Sequence, residues 1–147
     1  MEPFRRAAKD QGITLSLDLP GDLPDIRADV VRLGHVFGNL LSNAFRFTPP
    51  GGIVTVSARA EGEWVSFSVS DTGQGIPEQY LPRVFERFFR VPDQGPKAGA
   101  GLGLAIVKEI VEAHGGTVGV ASREGEGTAF SFTVKRADLG PAQEGRQ

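Results

Sequence analysis

Two alternating runs, "IVTVSARA" (53–60) and "EWVSFSVSD" (63–71), stand back to back with only Glu61 and Gly62 between them. A period of two sends successive side chains to opposite faces of a strand, and a two-residue link containing glycine is hairpin spacing, so these runs pair antiparallel. "GTVGVASR" and "GTAFSFTVKR" repeat the arrangement around "EGEG", and "ITLSLDL" (13–19) alternates like a further half-buried strand. Helical periodicity appears in two long stretches: one from the N-cap candidate Asp29 to about Phe47, stopping before "TPPGG", and one from about Leu102 to His114. Hairpins whose connecting helices must share one face predict an α+β fold. The expected architecture is a two-layer α/β sandwich, with a mixed, mostly antiparallel sheet of about five strands packed against about three helices. No internal repeat is present.

Composition narrows the function. The 147 residues suit one domain and leave no room for a second catalytic one. A net charge of −2 lacks the basic excess of nucleic-acid or polybasic membrane binders, so no nucleic-acid partner is expected. No apolar run approaches a membrane span and the N-terminus has no signal-like core, which reads as cytoplasmic. With no cysteine, disulfides, thiolate nucleophiles and zinc-thiolate sites are excluded. His35 and His114 are far apart without ligand spacing, so any metal is held by oxygen.

Three groups of polar residues break the apolar pattern. On the first long helix Leu33, Val36, Phe37, Leu40 and Ala44 share a face, and Asn39, Asn43 and Arg46 run along its border. Asn39 and Asn43 are one turn apart, so both amides face the same place, either as part of a solvated surface or as a reader of a ligand. In the strand ending "SVSDTGQGIP", Asp71 continues the inward parity of Val65, Phe67 and Val69. A carboxylate aimed at the core needs a donor, supplied either by backbone amides of an Asx-turn or by a ligand N–H. Gly73 and Gly75 permit positive φ and the close approach of a flat ligand. Thr128 likewise shares the inward parity of Phe130, Phe132 and Val134.

The third group is "VPDQGPKAGAGLGLAIVKEIV". Gly99, Gly101 and Gly103 crowd the start of a helix, where free N–H groups and the positive end of the dipole favour an anion such as phosphate. "GAGLGL" is not a G-x-G-x-x-G turn following a strand, and no G-x-x-x-x-G-K-[ST] occurs, so the common dinucleotide and P-loop arrangements are excluded. The Gly- and Pro-rich stretch 92–101, with Arg90 and Lys97 as cations, is expected to be a flexible lid over a polyphosphate.

In order, "NLLSNAFRFT", "DTGQGIP", "VFERFFRV" and "GAGLGLAIVKEIVEAHGG" resemble the N, G1, F and G2 boxes of the ATP-binding catalytic domain of sensor histidine kinases. That domain belongs to the Bergerat-fold superfamily shared with DNA gyrase B, Hsp90 and MutL. The resemblance covers about residues 13–135. It implies that Asp71 accepts from the adenine amino group, with Gly73, Gly75, Ile76 and Thr128 around the base, and that Asn43 is the Mg²⁺ ligand. It implies further that Asn39, Arg46, Phe47, Arg90 and Lys97 contact the nucleotide. Gly99, Ala100, Gly101, Leu102, Gly103 and Leu104 would wrap its phosphates, and Phe85, Phe88 and Phe89 would anchor the start of the lid. ATP and Mg²⁺ are thus the implied cofactors, with Asn39, Asn43 and Arg90 as the implied catalytic residues. Arg46 stands where such kinases commonly have Lys, and Phe47 where they commonly have Tyr.

Asn39 decides between branches. In the hydrolysing branches the matching position is a glutamate that activates water, and an amide cannot serve as that base. The resemblance therefore implies γ-phosphate transfer to a histidine, not hydrolysis. The acceptor histidine is expected on a separate helical dimerisation domain of the parent kinase, since His35 and His114 both read as structural. Residues 1–12 are expected to be a remnant of the connection to that domain, 13–136 the catalytic domain, and 137–147 a disordered tail. The isolated domain is expected to be monomeric and its parent a homodimer, membrane-anchored or not, that passes phosphate to a response-regulator receiver. Two other readings stay open: a hydrolysing ATPase clamp and a nucleotide-binding scaffold without activity.

Overall fold

The computed structural model describes residues 2–26, 28–92 and 102–137. In chain order the elements are α1 (Glu2–Asp10), β1 (Thr14–Asp18), α2 (Val30–Phe47), β2 (Ile53–Glu61), β3 (Trp64–Asp71), a 3₁₀ helix (Glu78–Arg83), α3 (Gly103–Ala113), β4 (Val118–Arg123) and β5 (Gly127–Lys135). The strands form one sheet in the order β1-β2-β3-β5-β4. β1 and β2 are parallel, which requires a long crossover and obtains it from α2; the other pairs are antiparallel.

The alternation predicted for the hairpins holds rung by rung. Val65 faces Val134, Phe67 faces Phe132, Val69 faces Phe130 and Asp71 faces Thr128. This inner face meets Val36, Leu40, Leu41, Ala44 and Phe45 of α2 and Val107, Ile110 and Val111 of α3, which lie side by side. Leu41 and Phe45 widen the buried arc of α2 beyond the single stripe expected from its periodicity. The outer face carries Thr55, Ser57, Ser66, Ser68, Ser70 and Ser131, small hydroxyls suited to solvent. The result is the expected two-layer α+β sandwich.

Local chemistry sets the ends of α2. Asp29 is its N-cap, with Oδ1 accepting from Arg32 N at 3.1 Å. At the other end the buried Thr48 hydroxyl donates to the Ala44 carbonyl at 2.7 Å. His114 caps α3 and ties it to α2: its Nδ1 lies 2.8 Å from the Ile110 carbonyl and its Nε2 accepts from Asp29 N at 3.1 Å. His35 is exposed on α2.

Within the first twelve residues, expected only as a connection, α1 folds against the domain. Ala8 is buried, Phe4 and Ala7 pack on the core, and a Cβ placed on Gly38 of α2 would lie 3.9 Å from Phe4 Cζ. Residues 93–101, which include most of the expected lid with Lys97, Gly99, Ala100 and Gly101, and residues 138–147 of the expected tail lie outside the described residues. Among the described residues no helix is long and apolar enough to cross a membrane.

Candidate functional site

At the end of the inner face where Asp71 and Thr128 replace apolar pairs, the sheet, α2 and α3 surround a cavity of about 250 Å³. Asp71, the last residue of β3, makes an Asx-turn in which its Oδ1 accepts from Gly73 N at 2.8 Å, and Thr128 N also donates to the carboxylate. The carboxylate nevertheless lines the cavity, so the turn and a ligand-facing role coexist. Burial pushes the Asp71 carboxyl above the ordinary carboxylate range, outweighing the opposite pull of the two backbone donors.

Of the two glycines after Asp71, Gly75 has the positive φ expected of it and lines the cavity, whereas Gly73 does neither. A Cβ on Gly73 would lie 2.5 Å from the Phe47 carbonyl oxygen, and Gly73 is not on the cavity wall. Gly75 has φ 74°, and a Cβ there would run into the Arg123 carbonyl, although Gly75 and Ile76 do line the cavity. At both positions a side chain would also meet the protein's own backbone. The turn is held further by Gly125 N donating to the Gln74 carbonyl at 2.7 Å and by Ile76 N donating to Ser122 Oγ at 2.8 Å.

α2 forms a second wall. Asn39, Asn43 and Arg46 of the border stripe all line the cavity, and Ser42 and Phe47 join them. The Arg46 guanidinium carbon sits 5.9 Å from the Phe47 ring centre. Leu102, Gly103 and Leu104 bring the start of α3 to the same space, so close that a Cβ on Gly103 would lie 3.6 Å from Asn39 Oδ1. Among the described residues no side chain caps that helix start and no acidic residue occupies its first turn, an arrangement whose N–H groups and dipole favour an anion.

The third wall comes from the aromatic segment after the 3₁₀ helix. Val84, Phe89, Arg90 and Val91 line the cavity together with Phe130. Phe85 packs edge-on against Phe130 at 5.9 Å, and Phe89 lies 6.0 Å from Tyr80 under the Arg83 guanidinium. Arg87 pairs with Glu109 of α3, tying this segment to the helix. Phe88, expected to anchor the lid together with Phe85 and Phe89, is 69% exposed and has a φ of 65°.

Ser42, Gln74, Val84, Val91 and Ser122 were not singled out from sequence. Of these Ser122 was findable, since it follows Val118 and Val120 at period two and faces Thr128 across the β4–β5 ladder. Neither histidine lines the cavity. Among the described residues no group of three His, Cys, Asp or Glu side chains could hold a metal by itself.

The family described as "Histidine kinase-, DNA gyrase B-, and HSP90-like ATPase" matches residues 28–138. The adaptive-response sensory kinase SasA of Synechococcus elongatus is 43% identical over 88% of this chain, and the sensor protein DivL of Caulobacter vibrioides is 44% identical over 86%. The chain spans about a third of the length of the SasA relatives (33% for this one) and 16% of DivL. Among solved structures, the mycobacterial sensor histidine kinase MprB is 34% identical with a TM-score of 0.78, covering 92% of this chain and 90% of that one. Full-length ShkA in complex with AMPPNP is 39% identical with a TM-score of 0.80, over 92% of this chain and 28% of that one. With a five-stranded sheet, a cavity of mixed polar and apolar lining at its end and these relatives, the chain belongs to the histidine kinase-, DNA gyrase B- and HSP90-like ATPase family, and within it to the catalytic domains of sensor histidine kinases.

Proposed function

We propose that this domain binds Mg-ATP in the cavity and transfers the γ-phosphate to a histidine on a helical dimerisation domain of its parent kinase. The observation that carries the reading is the meeting of three unlike features in one cavity: inward acceptors at Asp71 and Thr128, paired amides at Asn39 and Asn43, and the N-terminal start of α3. Asp71 offers lone pairs to the amino group of adenine, beside Gly75 and Ile76. Gly103 and Leu104 at the start of α3 lie where phosphates would meet free N–H groups, and Arg46 and Arg90 supply positive charge from two other walls.

The donor set fits Mg²⁺ only in a particular way. Asn39 and Asn43 line the cavity with no acidic cluster among the described residues, so a hard cation would be held by Asn43 together with the nucleotide's own phosphates and water. Bound there, it would neutralise phosphate charge. Asn39 cannot deprotonate water, which disfavours the hydrolysing clamp and leaves positioning as the main task of this chain's residues. The catalytic unit is read as residues 13–136, and the phosphate then passes to a response-regulator receiver.

Incubated alone with labelled ATP and Mg²⁺, the domain is expected neither to label itself nor to hydrolyse ATP appreciably. Supplied with the helical domain of the same kinase, it should place an acid-labile, alkali-stable phosphate on a histidine there, and Asn43→Ala should abolish the transfer. Label on the isolated domain that vanishes with His35→Gln or His114→Gln would overturn the proposal.

A further inference from the structure

The hydroxyl of Ser122 lies one layer behind the cavity, on β4, and makes three short contacts. Its Oγ is 2.8 Å from Ile76 N, 2.9 Å from the Gly127 carbonyl oxygen and 2.8 Å from Thr128 Oγ1. A serine hydroxyl has one hydrogen to donate and two lone pairs to accept with. A backbone N–H only donates, so Ile76 takes one lone pair. A carbonyl only accepts, so Gly127 takes the hydrogen. The third contact is then the Thr128 O–H donating into the remaining lone pair of Ser122. Thr128 has a single hydrogen, now directed backward, and its oxygen presents only lone pairs to the cavity it lines.

We infer that Ser122 is a positioning residue that fixes the Thr128 hydroxyl as an acceptor, so that Thr128 and Asp71 together select a base edge carrying N–H over one carrying an acceptor oxygen. The inference rests on the nucleotide reading above. The group opposite Thr128 must bring its own hydrogen, either an amino N–H or a water oriented by one. An acceptor oxygen there would face lone pairs from both side chains, and a buried acceptor without a donor is costly. Were Ser122 unable to accept, Thr128 could rotate and donate, and that rejection would weaken. The same hydroxyl joins the turn at Ile76 to the β4–β5 hairpin, a separation of 46 residues, so the selecting oxygen and the wall around the base are held by one atom.

The test is competition between ADP and 6-methoxypurine riboside diphosphate, whose base carries an acceptor oxygen where adenine carries an amine and adds no N–H at N1. Both affinities are measured with Mg²⁺ in the wild type, Ser122→Ala, Ser122→Thr and Thr128→Val. The ratio of affinities is the readout, because a merely structural loss weakens both ligands alike. Ser122→Ala and Thr128→Val should each lower the preference for ADP by about fivefold, the effect of one net hydrogen bond. Ser122→Thr, which keeps a hydroxyl, should retain the wild-type ratio. If Ser122→Ala fails to fold, Thr128→Val and Ser122→Thr decide. An unchanged ratio in Thr128→Val, or in a folded Ser122→Ala, overturns the inference, as does a lowered ratio in Ser122→Thr. Failure of the wild type to bind ADP at all would instead overturn the nucleotide reading.

Discussion

The two ends of one sheet face have opposite characters although strands, register and parity are the same. At the closed end the Phe67–Phe132 rung is covered by Phe37, with ring centres 5.2 to 5.5 Å apart, and Val65 and Phe132 are essentially inaccessible. Two rungs further along, Asp71 and Thr128 occupy the positions that Phe67 and Phe132 fill, and a cavity stands where the aromatic packing was. The ladder continues unbroken, so the site arises by changing side-chain type on its last rung. Geometry is inherited from the core, and only the chemistry is new.

That difference predicts separable effects. At the closed end, Phe132→Ala should destabilise the domain by about 3–5 kcal/mol, the usual loss for a buried aromatic, read as a fall in denaturant midpoint. ADP affinity of the fraction that remains folded should change little. A loss of affinity larger than the loss of stability would show that the two ends are not independent.

At the open end the order reverses. Asp71→Asn keeps an oxygen for Gly73 N but replaces a pure acceptor by a group that can present N–H to the adenine amine. ADP affinity should fall by about 1–3 kcal/mol in calorimetric titration. Stability of the ligand-free domain at neutral pH should rise, because the carboxyl is pushed upward by burial. The sign follows from linkage: with the folded value above the unfolded one, the stabilisation belongs to the neutral acid, is complete below the unfolded value and disappears as pH rises through the folded value. Melting temperatures that are lower in Asp71→Asn at neutral pH would contradict the assignment of burial as the dominant cause.

The closed end was easier to read in the sequence than the open one. Period two alone ordered Val65, Phe67, Val69 and Asp71 on one face, and the N-cap at Asp29 followed from a polar residue before an apolar helical pattern. The same parity reached Thr128 and, through Val118 and Val120, could have reached Ser122. Contacts made across long separations were not accessible in this way. The need for glycine at 75 comes from the Arg123 carbonyl, and the burial of Ala8 from α1 folding back on the core, neither of which leaves a local pattern. Phe88 is exposed and has a positive φ, neither of which the aromatic composition of "ERFFR" encodes.

The central claim is that an ionised Asp71 holds the base, and it is tested most directly by the ratio of wild-type to Asp71→Asn affinity for ADP, measured calorimetrically across pH. Taking the ratio cancels titration of the nucleotide's own phosphates. The account predicts a ratio of about tenfold or more near neutrality, shrinking as pH falls through the raised range of the Asp71 carboxyl, where the wild type loses the acceptor that the variant already lacks. A ratio near one at neutral pH, or one that stays constant as the carboxyl is protonated, would contradict it.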